Sequence, residues 1–349
     1  LYKIYTMKTH TFKGGIHPKE MKELSNEKEI VSVFPASKTV TIPITMGGAP
    51  NSALVSVGDV VKKGQVIANG DKFMNCPVHA SISGKVKKIQ NCLVTGNVEV
   101  PCIIIESDES DSVDYMDILD PFKCTKEQAL ERIKNAGIVG MGGASFPAHV
   151  KFNPPKDKII DYVLVNAAEC EPYLTCDERT LQENISAVID GLAIVMNIVG
   201  SKGMIVLEDN KKYIKSTIEE EINKQNYSDK IEVCLVKTKY PQGSEKFIVS
   251  ASLGREIPSG KLPADAGVIV SNVGTFCAVS EAFREGKPLI ERPLTISGYG
   301  VNNPCNIKVP VGTLVSDLIP EVFNYDKDEV VKILSGGPMM GFAMSTPVF

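Results

Sequence analysis

The run Ile159-Ile-Asp-Tyr-Val-Leu-Val165 constrains the fold more than any other stretch of this 349-residue chain. Nearly every position is apolar, so the alternation of a half-exposed strand is missing and both faces of the strand must be covered. Two shorter runs, Ile231 to Val236 and Gly267 to Val270, read the same way. Each leads into a glycine, an amide or hydroxyl, and a helix start, which predicts an α/β domain with a Rossmann-like parallel sheet. Ligands of such sheets bind beyond the carboxyl ends of the strands. The first run ends in Asn166-Ala-Ala-Glu169-Cys-Glu171-Pro172, the second in Tyr240-Pro-Gln-Gly243-Ser-Glu245-Lys246, and the third in Ser271-Asn272-Val-Gly274-Thr275. Asp177 and Glu178 follow the first cluster. An ordinary solvated loop capping a helix from about Glu178 accounts for Asp177 better than for Glu169 or Glu171, which are read as the ligand-facing acids.

Ahead of the first strand stands Gly140-Met-Gly142-Gly143-Ala-Ser-Phe-Pro-Ala-His-Val-Lys151. Three glycines without Cβ atoms let the backbone approach a ligand and turn N–H groups toward its oxygens, and Lys151 supplies a countercharge. Phosphate or flavin binding is one reading, and a turn with a surface lysine is the other. The loop is not a dinucleotide fingerprint of the usual kind, because it follows a helix instead of a strand. Thr125 and Gln128 have capping-box spacing, Ala129, Ile133 and Ala136 form a helical stripe, and Gly137 suits the position after the helix end.

Val55 to Ile89 carries short alternating strands and glycine turns, which predict a small β-barrel or sandwich similar to the biotinyl/lipoyl hammerhead domain. Lys72 stands roughly where such a domain carries its modified lysine, but Gly70-Asp-Lys-Phe-Met lacks the attachment context, so structural use is expected. Ser107 to Leu119, rich in Asp and Ser, reads as a linker. Ile290 to Lys332 alternates short strands and turns, with a helix expected near Val315 to Pro320. A formal charge of −4 and the lack of a basic run interleaved with aromatics speak against nucleic acid as the main partner. No apolar stretch reaches the roughly 18 residues needed to span a bilayer. Nine cysteines without a Cys-x-x-Cys pair suit a reducing compartment and predict no metal site, Cys170 and Cys176 included. The four histidines are scattered, and His149 is expected to be a hydrogen-bonded structural imidazole.

Taken in order, the glycine loop, the acidic loop, the Tyr-Pro-x-Gly segment and the Asn-Val-x-Thr segment resemble the flavin- and NADH-binding subunit of respiratory complex I. They resemble more closely the RnfC family of Rnf complexes, which are ion-coupled ferredoxin:NAD oxidoreductases. His10-Thr-Phe-Lys-Gly-Gly-Ile-His-Pro18 is similar to the opening of that family, and Ser335-Gly-Gly-Pro-Met-Met-Gly341 to a late motif of it. The resemblance implies three parts: a region at 7–110 with the barrel, an FMN- and NADH-binding domain at 120–288, and an SLBB-type β-grasp domain at 289–349. It implies FMN contacts for Gly140, Gly142, Gly143, Lys151, Asn166, Glu169, Tyr240, Gly243, Asn272 and Thr275. For NADH it implies Phe146 and Phe152 as packing surfaces, with Glu171 and Glu245 near the ribose or amide. No catalytic acid or base is expected, since hydride exchange between nicotinamide and FMN needs close rings more than proton transfer. Two [4Fe-4S] clusters are expected in a module after Phe349, outside this sequence. The implied partners are NADH, the other Rnf subunits and, indirectly, ferredoxin, at the cytoplasmic face of the membrane. Met141 stands where complex I has an arginine and Ser244 where it has an acid, so the nicotinamide contacts differ there. Two alternatives remain at this stage: an RnfC-like electron carrier of an amino-acid reductase, and a non-enzymatic scaffold, which flavin absorbance separates.

Overall fold

The computed structural model describes residues 8–319, 322–325, 328 and 330–346. Met7, Pro320 and Phe349, which bound the expected segments, lie outside them. Helix α1 (Lys126–Asn135) opens with the expected capping box: the Thr125 side chain accepts from the Gln128 N–H and the Gln128 side chain accepts from the Thr125 N–H. Gly137 follows it at φ 66°, the left-handed conformation that closes a helix. A short helix α2 (Ala148–Lys151) ends the glycine loop. Strand Tyr162–Ala167 then leads through the acidic loop into α3 (Cys176–Glu183) and α4 (Ile185–Val199). Strand Lys202–Glu208, α5 (Lys215–Lys224), strand Ile231–Val236, α6 (Glu245–Leu253), strand Val268–Asn272 and α7 (Val273–Arg284) complete the domain.

The four strands form one wholly parallel sheet, with Ile231–Val236 at one edge, then Lys202–Glu208, Tyr162–Ala167 and Val268–Asn272. Alternate residues serve opposite faces. Val163, Val165, Ile205, Leu207 and Ile269 pack on the side of α1, α4, α5 and α7, whereas Leu164, Met204, Val206, Val268 and Val270 pack against Ile248 and Val249 of α6. Both faces are therefore covered, as the unbroken apolar run requires. The central strand starts three residues later than the run: Ile159 is exposed, Asp161 pairs with Arg255, and the ladder begins at Tyr162 opposite Lys202 and Val268. The third strand likewise continues to Asn272. Gly191 of α4 lies against the Phe276 backbone of α7, where a Cβ would overlap the Phe276 carbonyl, so these two helices approach closely.

The opening motif is absorbed by the sheet. The His10 N–H donates to Leu235 O and the Lys237 N–H to His10 O, both at 2.8 Å, and Ile16 and Tyr240 exchange both backbone bonds. This arm covers the Ile231–Val236 edge, which would otherwise present unpaired backbone groups.

The barrel predicted before this domain is a sandwich of two small antiparallel sheets. One has the order Thr39–Pro43, Val98–Ser107, Gly84–Val94, Val60–Val61, and the other Ser52–Ala53, Val66–Asn69, Val78–His79. Val40, Ile42, Ile67, Val86, Ile103 and Ile105 fill its core. Lys72 is exposed in a turn clamped by Asn75, whose Oδ1 accepts from the Lys72 N–H and whose Nδ2 reaches Ala49 O, Pro50 O and Asn51 Oδ1. The neighbouring Phe73 carbonyl is 2.9 Å from His149 Nε2, so the turn docks on α2, and His149 is the structural imidazole the sequence suggests.

The acidic stretch 107–119 is no free linker. The Asp114 N–H bonds to Lys63 O, the Met116 N–H to Gly286 O and the Leu119 N–H to Phe283 O, tying it to barrel and α7 alike. After α7, Glu291–Ile296 pairs antiparallel with Cys305–Pro310, which also pairs in parallel with Ile30–Ser32 from the start of the chain. The helix expected near 315–320 is a single 3-10 turn over Val315–Leu318. Leu334–Ser335 and Phe342–Ala343 then bracket the late motif as a two-stranded ribbon.

Candidate functional site

The parallel register sets Asn166 opposite both Val206 and Asn272, so the polar ends of adjacent strands share one rim of the sheet. Asn272 caps α7, its Oδ1 accepting from the Gly274 N–H at 2.9 Å. Asn166 Nδ2 donates to Gly243 O at 2.8 Å, joining the first loop to the Tyr240–Glu245 segment. Gly243 has no room for a side chain, since a Cβ would overlap Ala168 O. The Tyr240 backbone is fixed by Ile16.

The glycine loop lies over this rim. The Met141 N–H donates to the buried Thr275 hydroxyl at 3.1 Å, and Arg292 Nη2 donates to Met141 O at 2.6 Å. A Cβ on Gly142 would sit 3.6 Å from Asn272 Cβ, and Gly143, at φ 117°, would meet nothing within 4 Å. The loop thus presents bare backbone to open space beside the amino end of α7, where N–H groups and the helix dipole favour an anion. At the end of α2, Lys151 Nζ bonds Glu245 Oε1 at 2.6 Å and Val270 O at 3.0 Å. The lysine that looked unaccompanied in sequence is an ion-pair partner of a residue 94 positions away.

Phe146 is 37% exposed beside the loop, as a stacking surface must be. Phe152 is not: it is wholly buried, with its ring centroid 6.3 Å from that of Phe276. No ligand ring can lie on it, so its place as a nicotinamide or adenine platform is withdrawn and it belongs to the core beneath the loop.

The acids form a buried cluster, not a solvated loop. Glu169 is 6% exposed; its Oε1 accepts from the Asp177 N–H at 2.9 Å, and its Oε2 lies 3.7 Å from Lys22 Nζ with no hydrogen-bond partner among the described residues. Lys22, from the N-terminal arm, also donates to the carbonyls of Glu171, at 3.1 Å, and Leu174. Asp177, expected as a capping residue, instead faces the site, with its Oδ2 accepting from Asn272 Nδ2 at 2.6 Å. Burial, then repulsion from Glu169, pushes its carboxyl up to about 7. Glu208 and Lys211, both buried, pair at 3.3 Å; burial raises the acid, while Glu208 and the nearby acids hold the lysine charged. Glu171 takes the Met339 N–H on Oε2 at 3.1 Å, and its Oε1 is buried without a hydrogen-bond partner among the described residues.

Glu169, Cys176 and Asp177 bring ligand atoms within 4.8 Å of one another. Burial, with Asp177 and Glu169 beside it, pushes the Cys176 thiol well up, burial and Glu169 likewise raise Asp177, and Lys22 already lies 3.7 Å from Glu169, so the ionised ligands that a cation needs are disfavoured. That environment suits an organic ligand better than a metal ion.

Sequence reasoning missed Lys22, Asp177, Lys211 and Arg292. Lys22 and Arg292 come from outside the α/β domain, where no local pattern marks them. Asp177 carried a misleading signal, because an acid in the first turn of a helix is ordinarily a solvated dipole partner.

The residues present fit a flavin mononucleotide. The loop is a cradle open to backbone approach, Lys151 and the α7 terminus provide positive potential, and a buried oxygen of Glu169 has no donor among the described residues.

Residues 133–281 match the Nuo51 FMN-binding domain family, and residues 10–110 match the RnfC barrel sandwich hybrid domain family. The chain is 44% identical over 342 residues to the C component of a proton-translocating ferredoxin:NAD(+) oxidoreductase complex of Clostridium ljungdahlii, covering 96% of this chain and 73% of that one. To a Na(+)-translocating counterpart of Acetobacterium woodii it is 40% identical, covering 98% and 78%. The corresponding component of an ion-translocating oxidoreductase complex of Rhodobacter capsulatus is 36% identical, with 98% and 66% covered. A crystal structure of an NAD+-reducing [NiFe]-hydrogenase superposes on 58% of this chain and 39% of its own, with a TM-score of 0.50 at 20% identity, a likeness of fold alone.

Proposed function

The chain belongs to the RnfC family of ion-translocating ferredoxin:NAD(+) oxidoreductase complexes, and on that premise we propose that residues 120–288 hold FMN and present it to NADH. The observation that carries this reading is the open backbone of Gly142 and Gly143 set against the capped start of α7, with Lys151 beside it. The chemistry that FMN would supply there is hydride exchange with nicotinamide and one-electron exchange with a relay. The chain's own residues do the rest. Gly142 and Gly143 let their amides reach the flavin, Gly140, whose N–H is held by Phe146 O at 2.8 Å, lets the loop backbone pass close to it, and Lys151 offsets phosphate charge. Asn166, Tyr240, Gly243, Asn272 and Thr275 fix the rim against which the flavin rests. Phe146 supplies an exposed face for the dinucleotide, and Glu171 and Glu245 accept from its hydroxyl or amide groups. Glu169 and Asp177, with Lys22 and Arg292, hold charge in place behind the flavin.

We propose that the segment 289–349 is an SLBB-type β-grasp module that orients the flavin domain, supported by its antiparallel strands Glu291–Ile296 and Cys305–Pro310, to which Ile30–Ser32 of the N-terminal region adds a third, parallel strand. Two [4Fe-4S] clusters, carried outside these 349 residues, would take the electrons onward to the other subunits and ferredoxin. No helix among the described residues is long and apolar enough to cross a membrane, and the seat we propose is peripheral, at the cytoplasmic face beside the other subunits. The test is direct: added FMN should bind to the purified chain, and its absorbance near 450 nm should bleach with NADH. No flavin uptake would return the scaffold alternative.

A further inference from the structure

The late motif Ser335–Gly341 lies far along the chain from the flavin domain, yet it touches the acidic loop. Gly337 sits so close to Glu171 that a Cβ there would overlap the carboxylate. Two residues on, the Met339 N–H donates to Glu171 Oε2 at 3.1 Å. From the other side, Lys22 Nζ donates to the Glu171 main-chain carbonyl at 3.1 Å. Backbone and one carboxylate oxygen are thus both fixed, while the second oxygen, Oε1, is buried with no hydrogen-bond partner among the described residues. A buried carboxylate oxygen left without a donor is costly, so a group that donates to it gains more than an exposed contact would.

The turn carrying this amide is itself anchored. Its flanking ribbon is held by the tip of the long barrel hairpin, where Asn97 Nδ2 donates to Ala343 O and Asn97 Oδ1 accepts from the Ser345 N–H, both at 2.9 Å. Thr95 and Ser335 hydroxyls lie 3.4 Å apart beside them. Inside the turn, the Gly341 N–H closes onto Gly337 O at 2.8 Å.

We propose that the Gly337–Met339 turn positions Glu171, holding Oε2 so that Oε1 is reserved for a donor group of the nicotinamide dinucleotide, a ribose hydroxyl or the carboxamide. The inference rests on the reading of this site as an FMN–NADH site. Gly337 and Met339 are positioning residues; Glu171 is the group that meets the ligand. Glycine is required at 337 because the carboxylate occupies the space of a side chain.

The experiment is a double-mutant cycle in the FMN-loaded chain, reading KM and kcat separately with NADH and ferricyanide. Gly337→Ala should raise KM for NADH about tenfold with kcat and FMN affinity nearly unchanged, since only dinucleotide binding is disturbed. In a Glu171→Gln background, the same Gly337→Ala change should alter KM by less than about twofold, because the two residues act as a unit. Asn97→Ala, at an exposed hairpin tip, should raise KM in the same direction, more weakly, and also lose its effect once Glu171→Gln is present; it serves if Gly337→Ala fails to fold. Equal KM effects in both backgrounds, or no effect from either variant, would overturn the inference while leaving flavin binding intact. A parent chain that takes up no FMN would overturn it together with the reading beneath it.

Discussion

Lys151 Nζ lies 2.6 Å from Glu245 Oε1, joining the end of the glycine-loop helix to the first residue of α6 across the rim of the sheet. The pair is partly exposed, at 24% and 42%, so its own contribution to stability is small. Its consequence is for charge. Lys151 offers its remaining donor capacity to an anion while Glu245 keeps the side chain aimed along the rim.

Lys151→Glu should therefore replace attraction by repulsion toward a phosphate and also set two acids against each other. FMN affinity, read by absorbance titration, should fall about a hundredfold, equivalent to two decades in Kd. Glu245→Gln should leave FMN affinity within about threefold, because the lysine is retained. Unchanged flavin binding in Lys151→Glu would show that the phosphate lies elsewhere.

The two phenylalanines of the loop should separate cleanly. Phe152→Ala opens the core beneath α2 and Phe276, with an expected loss of about 3–5 kcal/mol in urea unfolding. Phe146→Ala should change stability by under about 1 kcal/mol, since the ring is partly exposed, yet raise KM for NADH several-fold. The reverse pattern would restore Phe152 to the ligand.

Asp177 gives the site a pH signature. Its carboxyl is raised from an ordinary 3.8 to about 7 by burial and by Glu169. Between those values the folded state binds the proton that the unfolded state has lost, so this group's stabilising effect is complete below about 4 and fades as pH rises through about 7. Asp177→Asn keeps an acceptor for Asn272 and removes the titration. Denaturation midpoints of the variant should fall less than those of the parent between pH 5 and pH 8, and parallel profiles would assign the dependence to other groups.

Electron transfer should stop at the flavin within these residues. None of the nine cysteines is in a disulfide, and the cluster of possible ligands among the described residues, Glu169, Cys176 and Asp177, contains a single cysteine where a [4Fe-4S] cluster requires several thiolates. FMN-loaded chain should pass electrons from NADH to ferricyanide while exchanging negligibly with ferredoxin in stopped-flow mixing. Rapid exchange with ferredoxin would place a relay among these cysteines.

Much of the α/β domain was legible from local pattern. The apolar runs, the capping box of Thr125 and Gln128 and the glycine at 137 act within a few residues, so the sequence carries them whole. The same holds for the candidate rim: Asn166, Gly243 and Asn272 stand at strand ends, and parallel pairing puts strand ends together. What the sequence could not decide was which polar groups face inward and what meets them. Whether Phe152 is platform or core depends on Phe276, 124 positions later, and whether Asp177 is solvated depends on Asn272 and on Glu169 behind it. Lys22, Arg292 and Met339 reach the site from three other parts of the chain, through contacts that no periodicity encodes. Burial and charge are properties of the assembled surroundings. Propensity and spacing fix the elements, but only their packing settles the dielectric and the neighbours on which a carboxylate's chemistry depends.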